Sequence, residues 1–119
     1  KGLKEGIEAG LVLTNREILD LEVIPKRHVK DWWGATLDEK IAIFNLLDQA
    51  KRMIDKKYHP DGYNIGINLG EKAGQSIMHL HVHLIPRYNG DVANPRGGVR
   101  GIIPEKQNYQ KVINHKKRI

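Results

Sequence analysis

Three histidines alternate strictly with apolar residues in the stretch Met78-His79-Leu80-His81-Val82-His83-Leu84-Ile85-Pro86. Near neutral pH an uncharged imidazole offers a lone pair that can act as a nucleophile, relay a proton or bind a metal. Successive side chains of a strand point to opposite faces, so on a strand His79, His81 and His83 share one surface, with roughly 6.5–7 Å between successive histidine Cα atoms. Met78, Leu80, Val82 and Leu84 then face a core. A helix would scatter the rings, because steps of two and four do not hold one helical face. A lone histidine on an apolar face is ordinarily a satisfied core residue. Burying three would leave both nitrogens of every ring to satisfy, each unpaired one costing about 1–3 kcal/mol, which favours a solvated, ligand-facing site.

Metal binding is one chemistry that fits such a site. A His-x-His pair on a strand can chelate zinc, and three histidines plus a water form a catalytic zinc arrangement. The chain has no cysteine, and Glu71 is the only acidic residue between Asn68 and Met78. The sequence therefore supplies no complete ligand set and no bound metal is expected, although a His-ligated metal hydrolase stays open as an alternative, decided by geometry and by the groups behind the ligands.

Periodicity sketches the elements that must hold the histidines. Leu11-Val12-Leu13-Thr14 and Leu21-Glu22-Val23-Ile24 read as short strands, the second stopped by Pro25, which has no amide to continue a ladder. His28 falls just past that strand end. Thr36 to Tyr58 reads as one long helix: Thr36 and Glu39 are spaced as a capping box, and Leu37, Ile41, Phe44, Leu47, Ala50 and Ile54 recur at steps of three and four as a core-facing stripe. Pro60-Asp61-Gly62 ends it. Tyr63 to Asn68 alternates as a third strand, and a loop over Gly70 to Gln75 leads into the histidine strand as its antiparallel neighbour. Lys1 to Gly10 gives only a weak helical or irregular signal. The pattern is α+β: an antiparallel sheet with one long helix packed on it and short helical or irregular segments at the ends.

With 119 residues, 39% of them hydrophobic, the chain is expected to be one domain over 1–119, with its core in 11–109 and a basic tail in 110–119. No apolar run reaches the roughly 18 residues of a membrane span. Without cysteine there is no disulfide framework, and a cytoplasmic setting is expected. The charge of +6 favours anionic partners without naming one, so a nucleic-acid-binding module is a further alternative. Arg96 and Arg100, in the Gly-rich segment Asn94 to Gly101, could bring a guanidinium fork to a phosphate.

The run His79-Leu80-His81-Val82-His83-Leu84-Ile85 resembles the signature of the histidine triad superfamily of nucleotide hydrolases and transferases. Upstream, Asn68-Leu69-Gly70-Glu71-Lys72-Ala73-Gly74-Gln75-Ser76 resembles that family's Asn-to-Gly-Gln-Ser/Thr loop. Downstream, Pro86-Arg87-Tyr88-Asn89-Gly90-Asp91 resembles its fragile histidine triad branch, and Val23-Ile24-Pro25-Lys26-Arg27-His28 also has a family look.

The resemblance implies a homodimeric, nucleotide-binding hydrolase that acts at the α-phosphate of dinucleoside polyphosphates, with adenosine phosphoramidates as the alternative substrates. It makes His81 the nucleophile of a nucleotidyl-histidine intermediate. His79 then orients the central ring or handles a proton, and His83 bonds phosphate oxygens. It assigns Gln75 to the phosphate and leaving group, which tilts the substrate toward polyphosphates. Ser76 becomes a hydroxyl donor, Gly74 a point of close backbone approach, and Asn68 a polar wall of the pocket. No protein-bound cofactor is implied, only magnesium accompanying the substrate. One departure stands out: Asn15 to Asp20 is shorter than the family's segment. Asn15 matches a polar site residue and Asp20 does so more weakly, while the family's acidic ribose partner and its extra histidine are left without a match.

Overall fold

The computed structural model describes residues 7–14 and 18–108, with side-chain surroundings from residue 20 onward. Strands β1 (Ile7–Thr14), β2 (Ile18–Pro25), β3 (Gly62–Gly66) and β4 (Val82–Arg87) form one antiparallel sheet in the order β1-β2-β4-β3, and helix α1 spans Leu37–Tyr58. This is the expected α+β architecture. The boundaries differ for reasons of pairing. β1 and β2 zip together over their full lengths, from Ile7 opposite Pro25 to Thr14 opposite Ile18. That ladder recruits Glu8, Ala9, Gly10 and Asp20, which have weak strand propensity of their own. β3 is shorter than expected, leaving the ladder at Gly66 opposite His83.

The histidine run is not one strand. β4 begins at Val82, and its ladder with β2 holds only the pairs Leu21–Leu84, Glu22–His83 and Val23–Val82. Farther along, β2 runs into Pro25, which cannot donate, so the ladder stops and the Leu80 amide donates instead to the Val29 carbonyl at 2.8 Å. His79 and His81 therefore lie on the segment that leads into β4. Alternation survives there: Leu80, Val82, Leu84 and Pro86 are buried, and His81, His83 and Ile85 are half-buried. Met78 departs from the expectation, remaining 39% exposed.

Thr36 caps α1 as its spacing predicts. Its hydroxyl accepts from the Glu39 amide at 3.1 Å, and Glu39 accepts from the Thr36 amide at 2.8 Å. The buried stripe is Ile43, Leu46, Leu47, Ala50 and Ile54, packed with Leu21, Val23, Leu80, Val82 and Leu84 of the sheet. Leu37, Ile41 and Phe44 were expected in that stripe. They face solvent, Leu37 being 71% and Phe44 54% exposed, because contact with the sheet selects a face rotated from the one periodicity favours. No helix among the described residues is long and apolar enough to cross a membrane.

A bidentate contact fastens the loop after β2 to the start of α1. Arg27 Nε and Nη2 reach the Glu39 carboxylate at 2.9 and 2.8 Å, and Nη2 also donates to the Gly34 carbonyl at 3.0 Å. The guanidinium, with the Thr36 amide, holds the Glu39 carboxyl down from 4.5 to about 2. A carboxyl depressed in the folded state stabilises fully above its ordinary value and loses that contribution as pH falls through the lowered one. Glu39→Gln is expected to lower the melting temperature by a few degrees at pH 7, on the scale of about 1 kcal/mol for a helix cap. The gap to wild type should narrow between pH 4.5 and 2; a melting series over that range checks it, and a constant gap would contradict the assignment.

The chain divides into two compact units, residues 1–88 and 89–119. The sheet, α1 and the core belong to the first. In the second, the described residues form short 3₁₀ turns at Gly98–Ile102 and Pro104–Lys106. Gln107 Nε2 donates to the carbonyls of Asn94 at 3.1 Å and Arg96 at 2.9 Å, and Arg100 Nε donates to Lys106 O at 2.8 Å. Gly97 is required there: its φ is +90°, and a Cβ would come within 2.1 Å of Gln107 O. The basic tail over 110–119 and Asn15 lie outside the described residues, and the Ile7 to Gly10 part of the expected irregular segment is strand.

Candidate active site

Glu22 of β2 stands directly opposite His83 of β4, so both leave the sheet on the face away from α1, and Asp20, two residues earlier, shares that face. His83 Nδ1 lies 3.1 Å from each oxygen of the Asp20 carboxylate and 4.0 Å from Glu22 Oε2. The His81 ring meets the His83 ring edge-on at a centroid distance of 5.0 Å. His81 Nδ1 is 2.9 Å from the His79 carbonyl. A carbonyl can only accept, so this nitrogen carries the hydrogen and the neutral ring's lone pair sits on Nε2. By the same logic the Asp20 carboxylate takes the Nδ1 hydrogen of His83. Both rings are held by one nitrogen and present the other.

The first histidine is placed differently. His79 Nε2 lies 2.9 Å from the Pro25 carbonyl, and its ring stands edge-on to His28 with centroids 5.1 Å apart. What bears on the central ring is the His79 main chain, through its carbonyl. The rings thus fall into two pairs, His81 with His83 and His79 with His28, because His79 precedes β4 and takes up the carbonyl that Pro25 leaves at the end of β2.

Gln75 requires a correction. It is 3% exposed, and its amide is fully engaged: Oε1 accepts from the Gly70 amide at 2.9 Å, and Nε2 donates to the carbonyls of Lys30 at 2.8 Å and Ile77 at 3.1 Å. Both hydrogens of Nε2 are spent inside the protein, so none remains for a phosphate or a leaving group. Gln75 is the pin that ties the Gly70 to Ile77 loop to the segment after β2. The loop itself turns through a 3₁₀ turn at Glu71–Ala73, closed by Gly74 at φ +100°. A Cβ on Gly74 would lie 3.8 Å from the Asn68 side-chain amide, so these two expected pocket residues do meet. Asn68, Gly74 and Ser76 are exposed.

Sequence reasoning missed Glu22 and gave Asp20 only a weak role. The signal was present: in Ile18-Leu19-Asp20-Leu21-Glu22-Val23-Ile24 the acidic residues alternate with Leu21 and Val23, which places carboxylates on the face opposite a buried one. The acidic partners of the histidines come from the neighbouring strand and not from the approach loop. Glu22, His81 and His83 each offer a possible ligand atom within 4.8 Å of the others.

Comparison with known proteins identifies the family. The model of the HIT domain matches residues 19–90, more than half of the chain. A protein named AP-4-A phosphorylase from Mycobacterium tuberculosis is 40% identical over 72 residues, covering 60% of this chain and 37% of its own length. The bis(5'-nucleosyl)-tetraphosphatase (asymmetrical) of Schizosaccharomyces pombe is 38% identical over 69 residues, 58% of this chain and 38% of its own. This chain therefore spans less than two-fifths of the length of either relative. Among solved structures, a hypothetical histidine triad nucleotide-binding protein from Sulfolobus tokodaii superposes with a TM-score of 0.64 at 30% identity, over 76% of this chain and 61% of that one. The match over more than half of the chain shows the family that the triad signature suggested, and the antiparallel sheet with its long helix is shared with that solved structure: the chain belongs to the HIT domain family.

Proposed function

We propose that this protein hydrolyses nucleoside polyphosphates at the α-phosphate, with dinucleoside polyphosphates as its substrate class, through a nucleotidyl intermediate on His81. One observation carries the reading: His81 Nδ1 is fixed on the His79 carbonyl, which leaves the Nε2 lone pair for attack. A bond forms from Nε2 to the α-phosphorus as the bond to the leaving phosphate oxygen breaks. Water then attacks the same phosphorus, its proton passing to solvent, the phosphorus–nitrogen bond breaks, and the ring regains its lone pair. Asp20 orients His83 through Nδ1, which leaves its Nε2 for the phosphate side of the site. Asn68, Gly74 and Ser76 supply exposed polar and backbone groups at the loop.

Gln75 no longer argues for polyphosphates. The substrate class rests instead on relatives named for diadenosine or bis-nucleosyl polyphosphate chemistry. Magnesium enters with the polyphosphate, and the protein supplies no resident cofactor. The proposal sets this activity in the cytoplasm, in a homodimer. The exposed Leu37, Ile41 and Phe44 on one flank of α1 offer apolar surface for a second copy.

A turnover screen tests the assignment. Diadenosine tri- and tetraphosphate should be split to a nucleoside monophosphate and the remaining nucleotide, at least tenfold faster than an adenosine phosphoramidate. Rapid quenching should trap an acid-labile nucleotidyl adduct. Turnover of the phosphoramidate alone would transfer the proposal to that class, and turnover of neither would overturn it.

A further inference from the structure

We propose that Glu22 is a specificity-determining residue of this site: its carboxylate admits an α-phosphate with one negative charge and turns away a terminal phosphate with two. The inference rests on the function proposed above and deepens it. One carboxylate oxygen of Glu22 lies within 4.8 Å of a ring nitrogen of His81 and of a ring nitrogen of His83. A phosphate aligned for attack by His81 brings its oxygens into the same small space. Like charges that close repel at the effective dielectric of a protein surface. Glu22 is half-buried, so solvent and salt screen that repulsion only in part.

The two carboxylates of this face differ in what they can do. Asp20 has each oxygen 3.1 Å from His83 Nδ1, so its charge is engaged in orienting that ring. Glu22 Oε2 stands 4.0 Å from the same nitrogen, beyond hydrogen-bond distance, and its charge is left to act on whatever enters the site. The residue opposite Glu22 on β1 is Gly10, which has no side chain and brings no cation to that position.

Charge is also what hydrolysis changes. Inside a dinucleoside polyphosphate, as in a phosphoramidate, the α-phosphate carries one negative charge. Hydrolysis at that phosphorus releases a nucleoside monophosphate, whose second pKa of about 6 gives it nearly two charges at pH 8. Glu22 therefore tolerates the substrate and expels the product. The overall charge of +6 would by itself favour the more highly charged ligand, so the expected preference runs against the global field and is set by a local group.

The test is equilibrium binding at pH 8, in chelator, of adenosine 5'-monophosphate and of its singly charged methyl ester. The wild type, Glu22→Gln and Glu22→Asp are compared, and dinucleoside polyphosphate turnover is measured separately on each. The wild type should bind the ester at least tenfold more tightly than the monophosphate, a difference of about 1.4 kcal/mol. Glu22→Gln, which keeps the shape and removes the charge, should bring the ratio below threefold by gaining affinity for the monophosphate. Glu22→Asp, which keeps the charge, should retain the wild-type preference. A wild type that holds both ligands equally, or a preference that survives in Glu22→Gln, overturns the inference even if dinucleoside polyphosphates turn over. Loss of the preference in Glu22→Asp as well as in Glu22→Gln overturns the role of charge. Binding as expected in a protein that hydrolyses neither substrate class supports the role of Glu22 and overturns the proposed function instead. Failure to bind either ligand overturns both.

Discussion

Replacing His81 with alanine is expected to lower nucleotide turnover at least about a thousandfold, a loss of about 4 kcal/mol in transition-state stabilisation, while the protein stays folded. The ring is half-buried on the face of the sheet away from α1. Its fixed contact, from Nδ1 to the His79 carbonyl at 2.9 Å, engages an acceptor that water can serve in its place. Truncation thus removes the attacking nitrogen and little packing. The melting temperature should stay within a few degrees of wild type, and no nucleotidyl adduct should form in a rapid-quench experiment. A folded variant that kept more than a tenth of the wild-type rate would show that the nucleophile is elsewhere.

The opposite signature is expected at Gln75. Removing its amide leaves the Gly70 amide and the Lys30 and Ile77 carbonyls without their present partners. Groups left unsatisfied cost about 1–3 kcal/mol each where they are buried; Lys30 and Ile77 are exposed residues that water can reach, so the expected net loss for Gln75→Ala is about 1–3 kcal/mol. Urea denaturation should show it as a lower midpoint at unchanged slope. The rate should fall by the same factor for a dinucleoside polyphosphate and a phosphoramidate, because a displaced loop harms both equally. Wild-type stability combined with a selective loss on the polyphosphate would return Gln75 to the reacting atoms.

The contrast between these residues shows where sequence reading reaches its limit. Gln75 and His81 stand in equally recognisable motif positions. A motif records that a residue type is needed and does not say whether the need is chemical or architectural. That is settled by what lies within hydrogen-bond distance, and the Lys30 carbonyl, 45 residues from Gln75 in sequence, is the deciding partner.

Local rules determined the capping box of Thr36 and Glu39, the length of α1 and the alternation from Leu80 to Pro86, because these depend on neighbours three or four residues away at most. They also determined the HIT signature itself, and with it the expectation of an antiparallel sheet carrying one helix. Tertiary structure decided the rest. Strand ends were set by pairing: the ladder between β2 and β4 stops because Pro25 has no amide, which parts His79 from the strand that bears His83. The buried face of α1 was chosen by the sheet, turning Phe44 outward and Ile43 inward. The electrostatics of the site came from Asp20 and Glu22, carboxylates that reach the histidines across a strand pair and not along the chain. Periodicity can assign a side chain to a face, but only the register between strands decides which side chains meet there.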